Sequence, residues 1–273
     1  MAKNSVVYAA KNEGVVGNAE ILCDGITALT GPNGCGKSTI LKRLCRARPK
    51  DEYVGQIGIQ SSTEWIGKEP WTETYFAFER NANRPKISAL ESPAREAAIR
   101  IDELLGGYFD YDSDERELYF VPRKAGAQRY RAEFCSDGEL ALGWLQAGLF
   151  FDRWNNKTGV IVDKPEACLS PGWTVEYARL IVWINKALGT KFVIATHNPD
   201  MVSAIRYISE AEGTLDDVRF YLAKKNDDGR YDYRECVEDK KSIEPIFKFF
   251  ATALDKIDEY GENNLWNEGV DET

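Results

Sequence analysis

Residues 31–38 read Gly-Pro-Asn-Gly-Cys-Gly-Lys-Ser and match the pattern G-x-x-x-x-G-K-[ST] at every fixed position. The stretch follows residues 26–30 (ITALT), an apolar run with the composition of a buried strand. It precedes residues 39–48 (TILKRLCRAR), whose apolar side chains share one face of a predicted helix. A strand, a glycine-rich loop and a helix in this order predict a phosphate-binding loop.

The chemistry expected of this loop follows from its residue types. Glycines let backbone N–H groups turn toward phosphate oxygens, and the helix N-terminus adds a partial positive charge. Lys37 can reach the β- and γ-phosphates of a nucleotide, and the Ser38 hydroxyl can bind Mg²⁺. The residues expected to bind the nucleotide are Asn33, Gly34, Cys35, Gly36, Lys37, Ser38 and Thr39.

Two further apolar runs are predicted strands that end in polar residues. Residues 160–163 (VIVD) end in Asp163, which either helps to hold Mg²⁺ or is an ordinary strand end. Residues 192–196 (FVIAT) precede His197, the single histidine. A lone histidine is often structural, but the carboxyl end of an apolar strand is where α/β proteins bind ligands.

Residues 135–140 (CSDGEL) precede a predicted apolar helix at residues 139–154. Ser136 and Gly138 can bind an anion at a helix N-terminus through the hydroxyl and backbone N–H groups. Ser136 and Glu139 also have the spacing of a capping box. The two interpretations are compatible, and the sequence leaves both open.

The amino-acid composition and net charge limit the classes of function that the chain can have. The chain has 273 residues and a formal net charge of −9, which disfavours a uniformly basic nucleic-acid-binding protein and leaves a local basic face open. No apolar run is long enough to cross a membrane, and the N-terminus lacks a secretory pattern, so we expect a cytoplasmic protein. Six cysteines without a C-x-x-C pair argue against a zinc knuckle.

The order of predicted elements indicates an α/β fold with a mainly parallel sheet, antiparallel β elements and a short helical insertion. We expect one domain over residues 1–240, with a helical region at about 88–155, and an amphipathic helix and tail over 241–273. Within the domain, residues 108–120 and the turn at 226–229 predict hairpins. Sustained heptads are absent, so no coiled-coil arm is expected.

At this point the chain resembles the nucleotide-binding domain of ABC-type ATPases. The resemblance covers about residues 5–225 and is carried, in order, by GPNGCGKST, CSDGEL, IVDKPEACLSP and IATHNP. The S-x-G-E signature and the D-x-P-E-x-x-L-x-P run are more similar to the SMC, recombination-repair and OLD-nuclease branch than to transporters, which usually carry S-G-G-Q and D-E-P-T. Short ATPases of bacterial antiphage defence systems are similar.

The resemblance implies a homodimer in which two copies sandwich two ATP molecules with Mg²⁺. Each ATP would lie on one copy's loop and under Ser136, Gly138 and Glu139 of the other copy. The implied catalytic residues are Lys37, Asp163, Glu166 and His197, with His197 on the γ-phosphate. The implied metal ligands are Ser38, Asp163 and Gln60, with Gln56 as an alternative to Gln60. Tyr8 either stacks on adenine or belongs to the core.

The sequence departs from the family after the strand aspartate. The family usually has a glutamate there that orients or deprotonates the attacking water, and this chain has Lys164. Ser170 also replaces a histidine of many relatives. Three explanations remain open: hydrolysis is slow and ATP is mainly a clamp, another carboxylate such as Glu166 substitutes, or the lysine is an introduced change that traps the ATP state.

The resemblance therefore predicts an ATP-dependent dimeric clamp or sensor that controls a partner effector such as a nuclease, with a role in antiphage defence. The other functions that the residues leave open are a DNA-repair ATPase, a transporter ATPase subunit and an ATP-binding scaffold without turnover. Direct nucleic-acid binding is left open, and no membrane contact is expected of the chain itself.

Overall fold

The computed structural model describes residues 7–46, 63–66, 92–112, 114–150, 159–236, 243–251 and 258. The strands predicted at residues 53–59 and 74–79 lie outside these ranges, as do Gln56 and Gln60. Tyr8 lies in a described strand, but its side chain is outside the described part of the chain.

The strands are β1 (Val7–Glu13), β2 (Val16–Leu22), β3 (Ile26–Thr30), β4 (Thr63–Ile66), β5 (Gly107–Asp112), β6 (Glu117–Pro122), β7 (Tyr130–Arg131), β8 (Gly159–Asp163), β9 (Lys191–Ala195), β10 (Val218–Lys225) and β11 (Tyr231–Glu235). The helices are α1 (Lys37–Arg46), α2 (Ser92–Leu105), α3 (Asp137–Phe150), α4 (Pro171–Leu188), α5 (Pro199–Ala211) and α6 (residues 244–251).

The main sheet has the strand order β1-β2-β11-β10-β3-β9-β8-β4. From β10 to β4 all neighbours are parallel, whereas β1–β2 and β10–β11 are antiparallel hairpins. The expected α/β fold with a mainly parallel sheet is confirmed. Because the carboxyl ends of parallel strands share one edge, the segments that follow β3, β8 and β9 meet at that edge.

The second sheet is small and antiparallel, with the order β5-β6-β7. It includes the hairpin predicted for residues 108–120. Helix α3 approaches β5 so closely that a Cβ on Gly143 would lie 2.4 Å from the Phe109 ring. The glycine in the middle of this helix therefore serves packing against the β5–β6 hairpin.

Helices cover both faces of the main sheet. On one face Leu29 and Val193 pack with Ile40 and Leu41 of α1. On the other face, alternate residues of the same strands pack with α2, α3, α4 and α5, and examples are Ile26, Ala28, Phe192, Ile194, Leu180 and Val202. This alternation explains why the strands read as continuous apolar runs, since a strand covered on both faces exposes neither set of side chains.

Helices α1 and α3 each begin two residues earlier in the structure than the sequence predicts. The first i→i−4 bond of α1 is Ile40 N–H to the Gly36 carbonyl, at 3.0 Å, so the loop continues directly into the helix. Helix α4 begins at Pro171, since proline lacks only an N–H that has no helical partner in the first turn. Helix α3 begins at Asp137, within the CSDGEL segment.

The described residues at the C-terminus include helical residues 244–251, within the range predicted for an amphipathic helix. Ile243 and Ile246 are buried in the main core, so this part of the chain packs on the domain. The predicted division at residue 240 stays a prediction. Among the described residues, no helix has both the length and the apolar character needed to cross a membrane.

Candidate nucleotide-binding site

The glycine-rich loop connects β3 to α1 and requires glycine at two tightly packed positions. Gly31 has a φ of 144° and Gly36 has a φ of 96°, both in the region that L side chains rarely adopt. A Cβ on Gly31 would lie 2.7 Å from that of Ala223, and one on Gly36 would lie 2.7 Å from Val16 Cγ2. The loop therefore lies against β10 on one side and β2 on the other.

Lys37 is the first residue of α1, and its side chain is buried, with 5% exposed. The ammonium donates hydrogen bonds to the carbonyls of Gly31 (2.9 Å) and Pro32 (3.0 Å) and to Cys35 Sγ (3.3 Å). Burial lowers the pKa of Lys37 below its ordinary value. The side chain thus lies along the loop, where its charge is available to an anion bound by the loop.

Ser38 and Asp163 lie together at the sheet edge. The Ser38 hydroxyl donates a 2.7 Å hydrogen bond to Asp163 Oδ2. Asp163 Oδ1 is buried and has no hydrogen-bond partner among the described residues. A hydroxyl oxygen beside a carboxylate with an unsatisfied oxygen is a donor set that suits Mg²⁺ or one of its waters. Gln60, the third expected ligand, lies outside the described residues.

His197 follows β9, which lies between β3 and β8, and so stands between the loop and Asp163. Its ring lies near the backbone of Gly31. Burial and the charges of Lys37 and Lys164 lower the pKa of His197 to about 4. The imidazole is therefore neutral at pH 7, and both lysines lie close enough to affect its charge.

Lys164 directly follows Asp163 and has left-handed backbone angles, φ 54° and ψ 58°. A non-glycine residue in this region costs roughly 1–2 kcal/mol. Its backbone N–H is held by the Ala195 carbonyl at 2.7 Å, while its side chain is exposed. The position at which the resemblance implies a water-activating glutamate therefore carries a solvent-accessible ammonium on a left-handed backbone.

Glu166 lies in the short 3₁₀ turn Pro165–Cys168 that follows Lys164. Its Oε1 accepts a 2.9 Å hydrogen bond from the backbone N–H of His197. Its Oε2 is buried and lacks a partner within the described ranges. Glu166 thus connects the segment after β8 with the segment after β9.

The capping box predicted at the start of α3 is confirmed. The Ser136 backbone N–H and hydroxyl donate to Glu139 Oε2 at 2.7 and 2.9 Å, and the Glu139 N–H donates to Ser136 Oγ at 3.3 Å. A Cβ on Gly138 would lie 2.7 Å from the Cys168 carbonyl oxygen. The segment therefore packs on the 165–168 turn, and Ser136 stays exposed. Its anion-binding role stays a prediction.

The structure brings Lys37, Ser38, Asp163 and His197 to one sheet edge, as the motif order indicates. Asn33, Gly34 and Thr39 lie exposed on the loop and the first turn of α1, where a ligand can reach them. Neither their roles nor those of the other predicted site residues are tested by this geometry alone.

The sequence analysis missed Tyr233. Its hydroxyl donates to the Cys35 carbonyl at 3.2 Å and lies 3.4 Å from Cys35 Sγ. Cys35 is completely buried, so the middle of the phosphate loop is fixed from β11. Nothing in the local sequence of β11 signals this contact, because the partners are 198 positions apart.

Comparisons with known proteins agree with this geometry. The family described as "ABC transporter" matches residues 18–149. The lipoprotein-releasing system ATP-binding protein LolD of Paramagnetospirillum magneticum is 26% identical over 209 residues, which cover 74% of this chain and 88% of LolD. The phosphate import ATP-binding protein PstB of Borreliella burgdorferi is 24% identical over 252 residues, which cover 89% of this chain and 85% of PstB.

A solved SMC head bound to the C-winged helix domain of ScpA has a similar fold, with a TM-score of 0.51 and 15% identity over 89% of this chain and 99% of that one. LolD and PstB are named as ATP-binding proteins of a lipoprotein-releasing system and of phosphate import, so membership of the SMC and OLD branch stays a prediction. The structure therefore has the α/β phosphate-loop fold of ABC ATPases, and the sequence is similar to the ATP-binding proteins named above.

Proposed function

We propose that the protein is an ATP-dependent dimeric clamp with slow hydrolysis, which controls a partner effector. The observation that carries this proposal is Lys164, which lies beside the Ser38–Asp163 pair where the family places a glutamate. An ammonium does not accept a proton at neutral pH, and it attracts a phosphate. The arrangement therefore favours holding ATP over hydrolysing it.

ATP binding is supported by the loop geometry. Backbone N–H groups at the start of α1, the Lys37 ammonium and the helix N-terminus all provide positive potential at one place. Mg²⁺ fits the oxygens of Ser38 and Asp163, and when bound it would neutralise phosphate charge. The residues of this chain would position the phosphates, and neutral His197 would offer or accept a hydrogen bond at the γ-phosphate.

The dimer is supported by exposed groups on the CSDGEL segment. Ser136 is exposed at the N-terminus of α3, where it can meet a phosphate held by a second copy. Phe134, two residues earlier, is 74% exposed. The exposed Phe134 ring next to the CSDGEL segment is therefore available to contact a second copy of the chain.

The effector and an antiphage role rest on the resemblance and on the acidic composition, which suits a regulatory protein partner better than direct DNA binding. A transporter ATPase subunit is the second candidate, because the similar proteins LolD and PstB are named as the ATP-binding proteins of a lipoprotein-releasing system and of phosphate import. The two candidates differ in partner: an integral membrane protein in one and a water-soluble effector such as a nuclease in the other.

The deciding experiment measures dimerisation and ATP lifetime together. Sedimentation with ATP and Mg²⁺ should give a dimer, and a chase with unlabelled ATP should show that bound nucleotide leaves mainly as ATP. A monomer under all nucleotide conditions would exclude the clamp. Rapid turnover in the dimer would exclude slow hydrolysis. Co-purification of a membrane protein from the native host would favour the transporter subunit.

A further inference from the structure

The glutamate that the resemblance marks as catalytic has a specific contact that suggests another role. Glu166 Oε1 accepts the backbone N–H of His197 at 2.9 Å. The two residues belong to different segments, one after β8 and one after β9, and they are 31 positions apart. This bond determines where the His197 backbone lies relative to Asp163 and Lys164.

The neighbouring backbone N–H groups of the His197 segment bond to other partners. This segment is a short connection between β9 and α5, in which the Thr196 N–H donates to the Leu29 carbonyl at 3.0 Å. The Asn198 N–H donates to Thr196 Oγ1 at 3.0 Å, and the Asn198 side chain caps α5. Glu166 therefore supplies the bond to the His197 N–H itself, from the side of β8.

The position of His197 matters because its ring lies near Gly31 of the phosphate loop, and the Gly31 carbonyl accepts a hydrogen bond from Lys37. A shift of the His197 backbone would move the imidazole relative to the phosphate loop. Small displacements of a reacting group have large effects on the reaction rate, since a misplacement of about 1 Å can lower the rate about 10²-fold.

We infer that Glu166 is a positioning residue that acts through His197, and that its charge is not required. This inference rests on the proposed function, because His197 is taken to face the γ-phosphate. A backbone N–H needs only an acceptor oxygen at the correct distance, which a glutamine also provides. A general base needs the carboxylate itself, which a glutamine lacks.

Two substitutions of Glu166 distinguish the effect of its side-chain length from the effect of its charge. Glu166→Gln keeps the length and the acceptor but removes the charge, whereas Glu166→Asp keeps the charge but shortens the side chain by one methylene. For a positioning residue we expect Glu166→Gln to stay within about threefold of wild type and Glu166→Asp to change ATP dissociation by about tenfold. For a general base the order would be reversed.

A double variant tests whether the effect passes through His197. The ATP dissociation rate and single-turnover phosphate release should change in Glu166→Asp as they do in His197→Ala, and the combination should be no worse than His197→Ala alone. Thermal unfolding of each variant shows whether the fold is retained, and Glu166→Gln keeps the question answerable if the aspartate variant unfolds.

Three results would overturn the inference: loss in Glu166→Gln as large as in Glu166→Asp, additive losses in the double variant, or no effect of His197→Ala on any readout. None of these is the result that excludes the proposed function. That function fails instead if the wild-type protein neither dimerises with ATP nor retains it.

Discussion

Ser38 Oγ and Asp163 Oδ2 lie 2.7 Å apart although 125 positions separate them in the chain. Ser38 is in the first turn of α1, and Asp163 ends β8, two strands away from β3 in the sheet. This hydrogen bond joins the phosphate loop to β8, and Lys164, which replaces the glutamate that the resemblance implies, directly follows β8. The predicted nucleotide site and Lys164 are therefore neighbours in the structure.

The first prediction concerns phosphate binding by Lys37. Lys37→Ala should weaken ATP binding by about 1.5–3 kcal/mol, because it removes charge-assisted hydrogen bonds to the phosphates. Isothermal titration calorimetry measures this difference. Lys42→Ala, on the exposed side of α1, is the matched control and should bind as wild type does. Equal affinities for the Lys37 variant and the wild type would contradict the phosphate-loop assignment.

The second prediction concerns assembly. Replacing Ser136 by arginine should block ATP-dependent dimerisation, but it also removes the cap of α3, at a cost of about 1 kcal/mol. Phe134→Ser avoids this, because the side chain is largely exposed. We expect this variant to bind ATP normally and to stay monomeric at concentrations where the wild type forms a dimer.

Tyr207→Ser is the control for assembly, because Tyr207 is another large exposed side chain, 60% exposed on α5. It should dimerise as wild type does. Sedimentation velocity with and without ATP and Mg²⁺ measures all three proteins. If Phe134→Ser has the same dimer dissociation constant as the wild type, Phe134 does not belong to the dimer interface.

The third prediction concerns Lys164. A positioned general base contributes about 10²–10⁴-fold in rate, so Lys164→Glu should raise single-turnover phosphate release at least about tenfold and shorten the lifetime of the ATP-bound dimer. Both residues have a Cβ, so the left-handed backbone is equally strained in each. If the wild type already releases phosphate rapidly and Lys164→Glu does not change that rate, another residue is the general base, and Glu166 is the first candidate.

Lys164→Gly is the matched control for that experiment. Glycine adopts a φ of 54° without strain, so this variant removes the ammonium and should not destabilise the fold. We expect weaker ATP retention without faster hydrolysis. If Lys164→Glu abolishes ATP binding while Lys164→Gly weakens it, the lysine is a phosphate ligand and the site chemistry differs from that of the family.

The fourth prediction concerns the protonation of His197. Because the chain has one histidine, its imidazole gives a single unambiguous NMR signal. The titration midpoint should lie near pH 4 in the protein alone, since burial and two lysines oppose the charged form. Binding of ATP should raise this pKa, because phosphate favours imidazolium. A midpoint near 6.5 without nucleotide would contradict the buried, lysine-flanked position.

The same pKa has a consequence for stability. The folded-state pKa lies below the ordinary unfolded value of about 6.5, so between these values the unfolded chain binds more protons. This group therefore stabilises the fold fully above about pH 6.5, and that contribution falls as the pH drops toward 4. Denaturant unfolding should show a larger loss between pH 7 and pH 5 for wild type than for His197→Gln.

The sequence by itself determined the local features of this protein. The glycine, lysine and serine spacing of residues 31–38 predicts the phosphate loop, because backbone turns and helix N-termini depend on neighbouring residues. The apolar runs before Asp163 and His197 predict buried parallel strands, because a strand covered on both faces is apolar along its whole length. The Ser136–Glu139 spacing predicts the helix cap that the structure contains. The departure at Lys164 is likewise visible in the sequence.

Only the tertiary structure decided which of these segments meet. The strand order places β9 between β3 and β8, which brings His197 between the loop and Asp163. The bonds from Tyr233 to Cys35 and from His197 to Glu166, and the left-handed backbone of Lys164, are likewise visible only in the folded structure. Periodicity reports which face of an element is buried, but it does not encode the order of strands in a sheet, so contacts between residues far apart in the chain appear only in the folded protein.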